Sequence, residues 1–219
     1  MKNILKWVLI TVGSLVAIFI VGGFMIPSSW TVSESIVVNA SPDSVYAQVA
    51  DLKNWQGWSV WTKEKDPSQE YTYEGNEPGI GQKWSWSSAK MGKGYLEIKS
   101  ADSTKGINYE LFLDMNGNQS TMHGEIAYVQ TEAGLEITWT DKGDAGNNLI
   151  KRWMTLFIKS MLSDDFKSGL AKLKTIVEAP APSAEPAQQD APAAQEEAAQ
   201  GSAPAAQEPA EEPAVAPAN

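Results

Sequence analysis

Residues 7–26 form a run of 20 residues without a charge, and nothing else in the 219-residue chain restricts its folding as severely. At ~1.5 Å rise per residue, a helix of that length crosses the roughly 30 Å hydrocarbon layer of a bilayer. Lys2 and Lys6 precede the run, whereas the first basic residue after it is Lys53. The positive-inside rule therefore places the N-terminus in the cytoplasm and everything beyond Ile26 outside, in the periplasm for an inner-membrane protein. Trp7 and Trp30 stand near the two ends, where indoles favour the headgroup region. A cleaved signal peptide is the rival reading, but the run exceeds the usual ~7–15 residues and no Ala-x-Ala site precedes the polar sequence.

The opposite end differs in kind. Residues 179–219 hold 8 of the 12 prolines and 7 acidic groups with no Lys or Arg. Built of Ala, Pro, Gln and Glu, this stretch buries too little apolar surface to offset its ordering entropy, so it is expected to be a disordered acidic tail. It serves either as a solubilising spacer or as a docking segment for an envelope partner. Without it the chain carries 17 basic and 20 acidic side chains, close to neutrality. Such a surface lacks the phosphate-neutralising charge of a nucleic-acid binder. Zero cysteine and a lone histidine, His123, exclude a disulfide framework, a thiolate metal site and a multi-histidine metal site.

Residues 1–29 thus read as a short cytoplasmic end and anchor, and residues 30–178 as one domain of ordinary size. Val32, Ile36 and Val38 suggest a first strand. Ser41, Pro42 and Asp43 then open a helix: a hydroxyl cap, a proline suited to the first turn, and an acid at the positive dipole end. Asp51 starts a second short helical turn carrying Trp55 and Trp58. After Pro67 the apolar period becomes two, through the pairs Tyr71/Tyr73, Trp84/Trp86 and Leu96/Ile98, then Tyr109/Leu111/Leu113, Met122/Ile126/Tyr128 and Leu135/Ile137/Trp139. Six strands joined as hairpins give an antiparallel sheet with one buried and one wet face, and Asn116-Gly117 marks one of the turns. Residues 148–178 are helical, but their apolar stripe changes sides. Ile150, Trp153, Met154, Phe157 and Met161 fall nearly opposite Leu162, Phe166, Leu170, Leu173 and Val177 at 100° per residue. One straight helix cannot bury both stripes against one sheet, and Ser163 before Asp164 and Asp165 has the character of a new N-cap, so a break there and two helices are expected.

Several segments carry a family resemblance: residues 36–46 (IVVNASPDSVY), residues 51–61 (DLKNWQGWSVW), Gly79-Ile80-Gly81, and residues 165–174 (DFKSGLAKLK). Together they resemble the START-like, or SRPBCC, superfamily, and within it the polyketide cyclase/dehydrase-like branch. The resemblance covers residues 30–178. It implies an α+β helix-grip fold, in which a curved antiparallel sheet of about seven strands wraps a C-terminal helix and leaves a cavity between them. The anchor would precede this domain and the disordered tail follow it. Many relatives carry Pro where this chain has Asp164, so the start of its last helix is less rigidly specified.

Chemistry is sparsely signalled. No Gly-x-Ser-x-Gly, His-Glu-x-x-His or phosphate loop occurs, and parity puts His123, Glu97, Glu110 and Glu125 on the wet face, so no catalytic or metal residue and no cofactor are assigned. The aromatic residues say more. Trp55 and Trp58 can cover one end of the cavity. Trp84, Trp86, Tyr109, Leu111, Leu113, Met122, Ile126, Tyr128 and Trp139 are the inward strand candidates for a hydrophobic ligand, and Trp153 and Phe157 join them from the last segment. Lys151, Arg152 and Lys159 flank the apolar face of residues 150–162, which contains no acid. That pattern fits a helix on anionic lipid, or one that closes the barrel mouth, or a gate doing both. Three functions remain open: a membrane-anchored carrier of a hydrophobic small molecule or lipid, a cyclase/dehydratase-type enzyme, and a non-catalytic envelope interaction module.

Overall fold

The computed structural model describes residues 1–180, so all but the first two residues of the acidic tail lie outside it. The uncharged run makes up most of α1 (Lys2–Met25), which takes in Lys2 and Lys6 at its start and whose side chains are exposed along nearly its whole length. The strand β1 (Ser29–Val38) follows, then α2 (Pro42–Val49) and the single-turn α3 (Trp55–Trp58). The sequence signal at α2 is realised as expected: the Ser44 amide donates to Ser41 Oγ at 3.2 Å, with Pro42 in the first turn.

Six strands complete the sheet: β2 (Glu70–Glu74), β3 (Lys83–Ser88), β4 (Gly92–Asp102), β5 (Gly106–Met115), β6 (Asn118–Thr131) and β7 (Gly134–Asp144). All pairings are antiparallel, in the order β1-β7-β6-β5-β4-β3-β2. At the β5–β6 turn Asn116 and Gly117 both take positive φ, 56° and 85°, as a tight hairpin requires. Because side chains alternate, the register assigns one concave row per strand. Tyr73, Trp84, Leu96 and Leu111 lie side by side on it, as do Ile98, Tyr109, Gly124 and Asp141. The convex face carries Glu97, Glu110, His123 and Lys142, so the outward placement of His123 and the glutamates holds.

The last element, α4 (Leu149–Val177), is one unbroken helix of 29 residues, about 43 Å long at ~1.5 Å per residue. The expected break at Ser163 does not occur. Ser163 Oγ instead donates to Glu34 Oε1 at 2.5 Å, and Asp165 Oδ2 accepts from Trp61 Nε1 at 3.1 Å while its carboxylate pairs with Lys65 Nζ at 2.8 Å. These polar residues tie the middle of the helix to its neighbours. No proline at position 164 forces a stop. The two apolar stripes meet different surroundings: Phe166, Leu170 and Leu173 are sealed against the sheet, whereas the earlier stripe turns away from it and is largely exposed.

Candidate functional site

The concave face divides into a closed end and an ajar end. At the closed end the Trp139 indole stacks on Phe166 of α4, with ring centroids 4.2 Å apart and planes 6° from parallel. Trp55 and Trp58 meet Trp139 edge-on at 5.7 and 5.2 Å. Gly169 is the helix residue that passes over this indole; a Cβ built there would lie 3.0 Å from Trp139 Cζ3, which accounts for a glycine inside a helix. The hollow expected between the sheet and residues 163–178 is therefore filled by indole and phenyl rings. Two shallow surface depressions, each about 380 Å³, lie elsewhere: one along Ile4, Trp7, Val8, Thr11 and Val12 of α1, and the other by the β4–β5 hairpin near Asp102 and Asn108.

Under the stacked rings runs a buried polar chain. Trp139 Nε1 donates to the Tyr109 hydroxyl at 2.7 Å, and that hydroxyl donates to Asp141 Oδ1 at 2.6 Å. Gly124, on the strand between them, permits the reach, since a Cβ there would collide with both the Tyr109 ring and Asp141 Oδ1. Asp141 is 1% exposed, and its Oδ2 has no partner. Burial raises its pKa from 3.8 to about 7, against the opposing hydrogen bond from Tyr109. Burial, then the adjacent Asp141, pushes the Tyr109 hydroxyl well above its ordinary value. Sequence reading missed Asp141, yet the signal was available: the alternation Leu135, Ile137, Trp139 carried two residues further puts an acid on the buried face.

The ajar end spans β2 to the start of β6. Tyr71, Tyr73, Trp86, Leu111, Leu113 and Met122 are only half-buried there. Tyr71, Tyr73, Trp84 and Trp86 form a chain of rings with centroids 5.4 to 6.5 Å apart. The benzo edge of Trp86 overlies Gly94 on the neighbouring strand, where a side chain would exclude it. Buried within this cluster, Tyr73 Oη, Trp84 Nε1 and Trp86 Nε1 find no hydrogen-bond partner, nor does the amide of the 1% exposed Gln69 just before β2. Burial pushes the Tyr73 hydroxyl up to about 12, against the opposing influence of the nearby Gln56 amide, which is too poorly placed for a hydrogen bond, so it stays a neutral donor. By contrast, Trp55 Nε1 donates to Val49 O at 2.9 Å and Trp58 Nε1 to Gln48 O at 3.4 Å. The indoles at the two ends thus differ in polar satisfaction as well as in position.

The thirteen residues singled out from sequence separate accordingly. Trp55, Trp58, Tyr109, Ile126, Tyr128 and Trp139 are packed core, each 5% exposed or less. Trp84, Trp86, Leu111, Leu113 and Met122 belong to the ajar end. Trp153 and Phe157 lie in neither: Trp153 stacks on Phe19 of α1 at 5.9 Å, and Phe157 is 77% exposed. Tyr73 and Gln69 were not anticipated. The alternation of Tyr71 and Tyr73 was the available signal for Tyr73, but no sequence pattern marks a glutamine whose amide is left without a partner.

A seven-stranded antiparallel sheet closed on a C-terminal helix, with an aromatic concave face, defines a helix-grip domain. The chain belongs to the family described as polyketide cyclase / dehydrase and lipid transport, whose model matches residues 29–178. The fold is similar to that of the di-domain ARO/CYC StfQ of the steffimycin biosynthetic pathway, at 13% identity and a TM-score of 0.52 over 68% of this chain and 51% of that one. It is also similar to that of a Mesorhizobium loti protein, at 12% identity and a TM-score of 0.51, over 68% of this chain and 97% of that one. A hypothetical Helicobacter pylori protein matches over 68% of this chain and 88% of its own length, at 8% identity and a TM-score of 0.51. No curated protein matches the chain.

Proposed function

We propose that the chain is a single-span membrane protein with a cytoplasmic N-terminus. Its extracytoplasmic domain binds or carries a hydrophobic small molecule or lipid at the ajar end, without altering it. One observation carries this reading: the Trp84 and Trp86 N–H groups, the Tyr73 hydroxyl and the Gln69 amide are buried without partners within the half-covered aromatic cluster of the ajar end. A buried polar group without a partner costs about 1–3 kcal/mol, and native structures tolerate few of them. An apolar guest carrying a carbonyl or ester oxygen supplies the missing acceptor while its hydrocarbon lies on Leu111, Leu113 and Met122. The family's description, which includes lipid transport, supports the ligand class. The charge-free stretch of α1 and the lysines at its N-terminal end support the anchor.

Native mass spectrometry of the full chain purified in mild detergent tests the proposal. The expected result is a co-purifying apolar molecule that is lost from a Trp84→Phe/Trp86→Phe variant, which keeps aromatic packing and removes both N–H donors. Recovery of no guest, or equal loading of both proteins, counts against it. A second reading, a cyclase/dehydratase-type enzyme, is favoured by the Asp141–Tyr109 pair, an acid with a pKa of about 7 hydrogen-bonded to a phenol. Both groups are sealed beneath Trp139, so binding leads. Conversion of the co-purified molecule by wild type but not by Asp141→Asn would reverse that order.

A further inference from the structure

The first half of α4 presents Ile150, Met154, Leu156, Phe157 and Met161 to the outside, each more than half exposed. We infer that this half-helix is embedded in the outer leaflet of the same bilayer that α1 spans, its apolar face among the acyl chains; the inference rests on the reading of α1 as a membrane span. Position along α1 carries the argument. Trp153 Nε1 donates to the Phe19 carbonyl at 3.1 Å, and the Trp153 ring stacks on the Phe19 ring. Phe19 precedes the end of the apolar run at Ile26 by seven residues, which is about 10 Å of helix. Trp153 therefore lies about 10 Å below the plane in which the run ends, close to the depth at which amphipathic helices seat their apolar side.

The junction is shaped for this contact. Gly22 and Gly23 form a notch in α1: a Cβ at Gly22 would stand 2.7 Å from Trp153 Cζ2, and one at Gly23 would stand 3.1 Å from both Leu149 Cδ2 and Trp153 Nε1. Gly23 is the one buried residue of α1. Arg152 marks the boundary plane, with its guanidinium donating to Ile26 O at 3.3 Å and to Gly146 O at 2.8 Å and lying over the Phe24 ring. A cation at the headgroup level with its stem along apolar surface is the usual arrangement at an interface.

Attraction to anionic lipid is not the main force. Of the three cations that sequence reading assigned to it, Lys151 is drawn onto the sheet, donating to Gln119 O at 3.0 Å, and Arg152 is held by the two carbonyls. Only Lys159 forms no side-chain hydrogen bond or ion pair among the described residues. Apolar area drives the insertion, so it needs no acidic headgroup.

The chain has no cysteine, so single substitutions report position cleanly. Phe157→Cys, Val16→Cys on α1 and Val129→Cys on the convex face of the sheet, each in the full chain, take an environment-sensitive fluorophore. They are reconstituted in nanodiscs of zwitterionic lipid doped with a lipid spin-labelled near the top of its acyl chain. The expected result is loss of most emission at positions 16 and 157 and little loss at 129. Quenching at 16 but not at 157, with 157 open to aqueous iodide, overturns the inference and leaves the anchor standing. Quenching at neither overturns both. A label at 157 shielded from lipid and iodide alike means that a second copy covers the face, which also overturns it. Insertion at 157 that appears only when acidic lipid is added contradicts the apolar driving force.

Discussion

The two halves of α4 share one helical backbone and differ in what they touch. In residues 163–177 the apolar side faces inward: Phe166, Leu170 and Leu173 are 0 to 1% exposed against Trp139 and β1, while Lys167, Ser168, Lys172 and Thr175 face water. In residues 149–162 the side facing the sheet is nearly polar, with Thr155 buried and Lys151 bonded to Gln119, and the large apolar residues point away. The difference teaches that a helix with two opposed stripes need not break when two different surfaces are available. Here the surfaces are a sheet and the region beside α1.

The comparison breaks first at Phe166. Phe166→Ala removes the ring stacked on Trp139 and is expected to cost about 3–5 kcal/mol of domain stability in denaturant unfolding of the detergent-solubilised chain. A loss below 1 kcal/mol would mean that the closed end is not a packed core.

The same end should respond to pH. Asp141, with a folded pKa of about 7 against 3.8, binds its proton more tightly in the folded state. Its contribution is fully present below pH ~4, is lost as pH rises through about 7, and is flat beyond, a swing of up to roughly 4 kcal/mol. Unfolding curves from pH 4 to 8 should show this decline in wild type and a flatter profile in Asp141→Asn. The opposite slope would refute the assignment.

Asp164→Pro tests the continuity of the helix. It removes the backbone N–H that donates to the Ser160 carbonyl and crowds that carbonyl, so about 3 kcal/mol and part of the helical circular dichroism should be lost. Unchanged stability would mean that two helices already meet there. The smallest effect belongs to the other half: Phe157→Ala should shift detergent-phase stability by no more than about 0.5 kcal/mol, and a larger loss would place that ring inside the domain.

Much of this was legible in the sequence because it depends on local chemistry. The cap at Ser41, the Asn116-Gly117 turn, the period-two strands and the uncharged run each act through a few neighbouring residues, so the element order followed from them. The inward parity of Trp84, Trp86 and Tyr109 was equally readable. Parity did not reveal which inward residues would be sealed and which left half-open, since that depends on where α3 and α4 come to rest. Trp58 and Trp86 look alike in sequence, but only the first finds a carbonyl for its N–H. The two stripes of α4 were also visible. Their consequence is not legible there, since a stripe records that a surface is needed and does not say which.

By itself, then, the amino-acid order determined the parts: a charge-free span, a seven-stranded antiparallel sheet, a terminal helix and an acidic tail, because propensity, capping and hydrophobic period are short-range. Tertiary structure alone decided that rings fill the closed end, that Asp141 is buried beside Tyr109, and that Trp153 seats in the Gly22–Gly23 notch. Each of those depends on contacts between residues distant in the chain, and no periodicity encodes them.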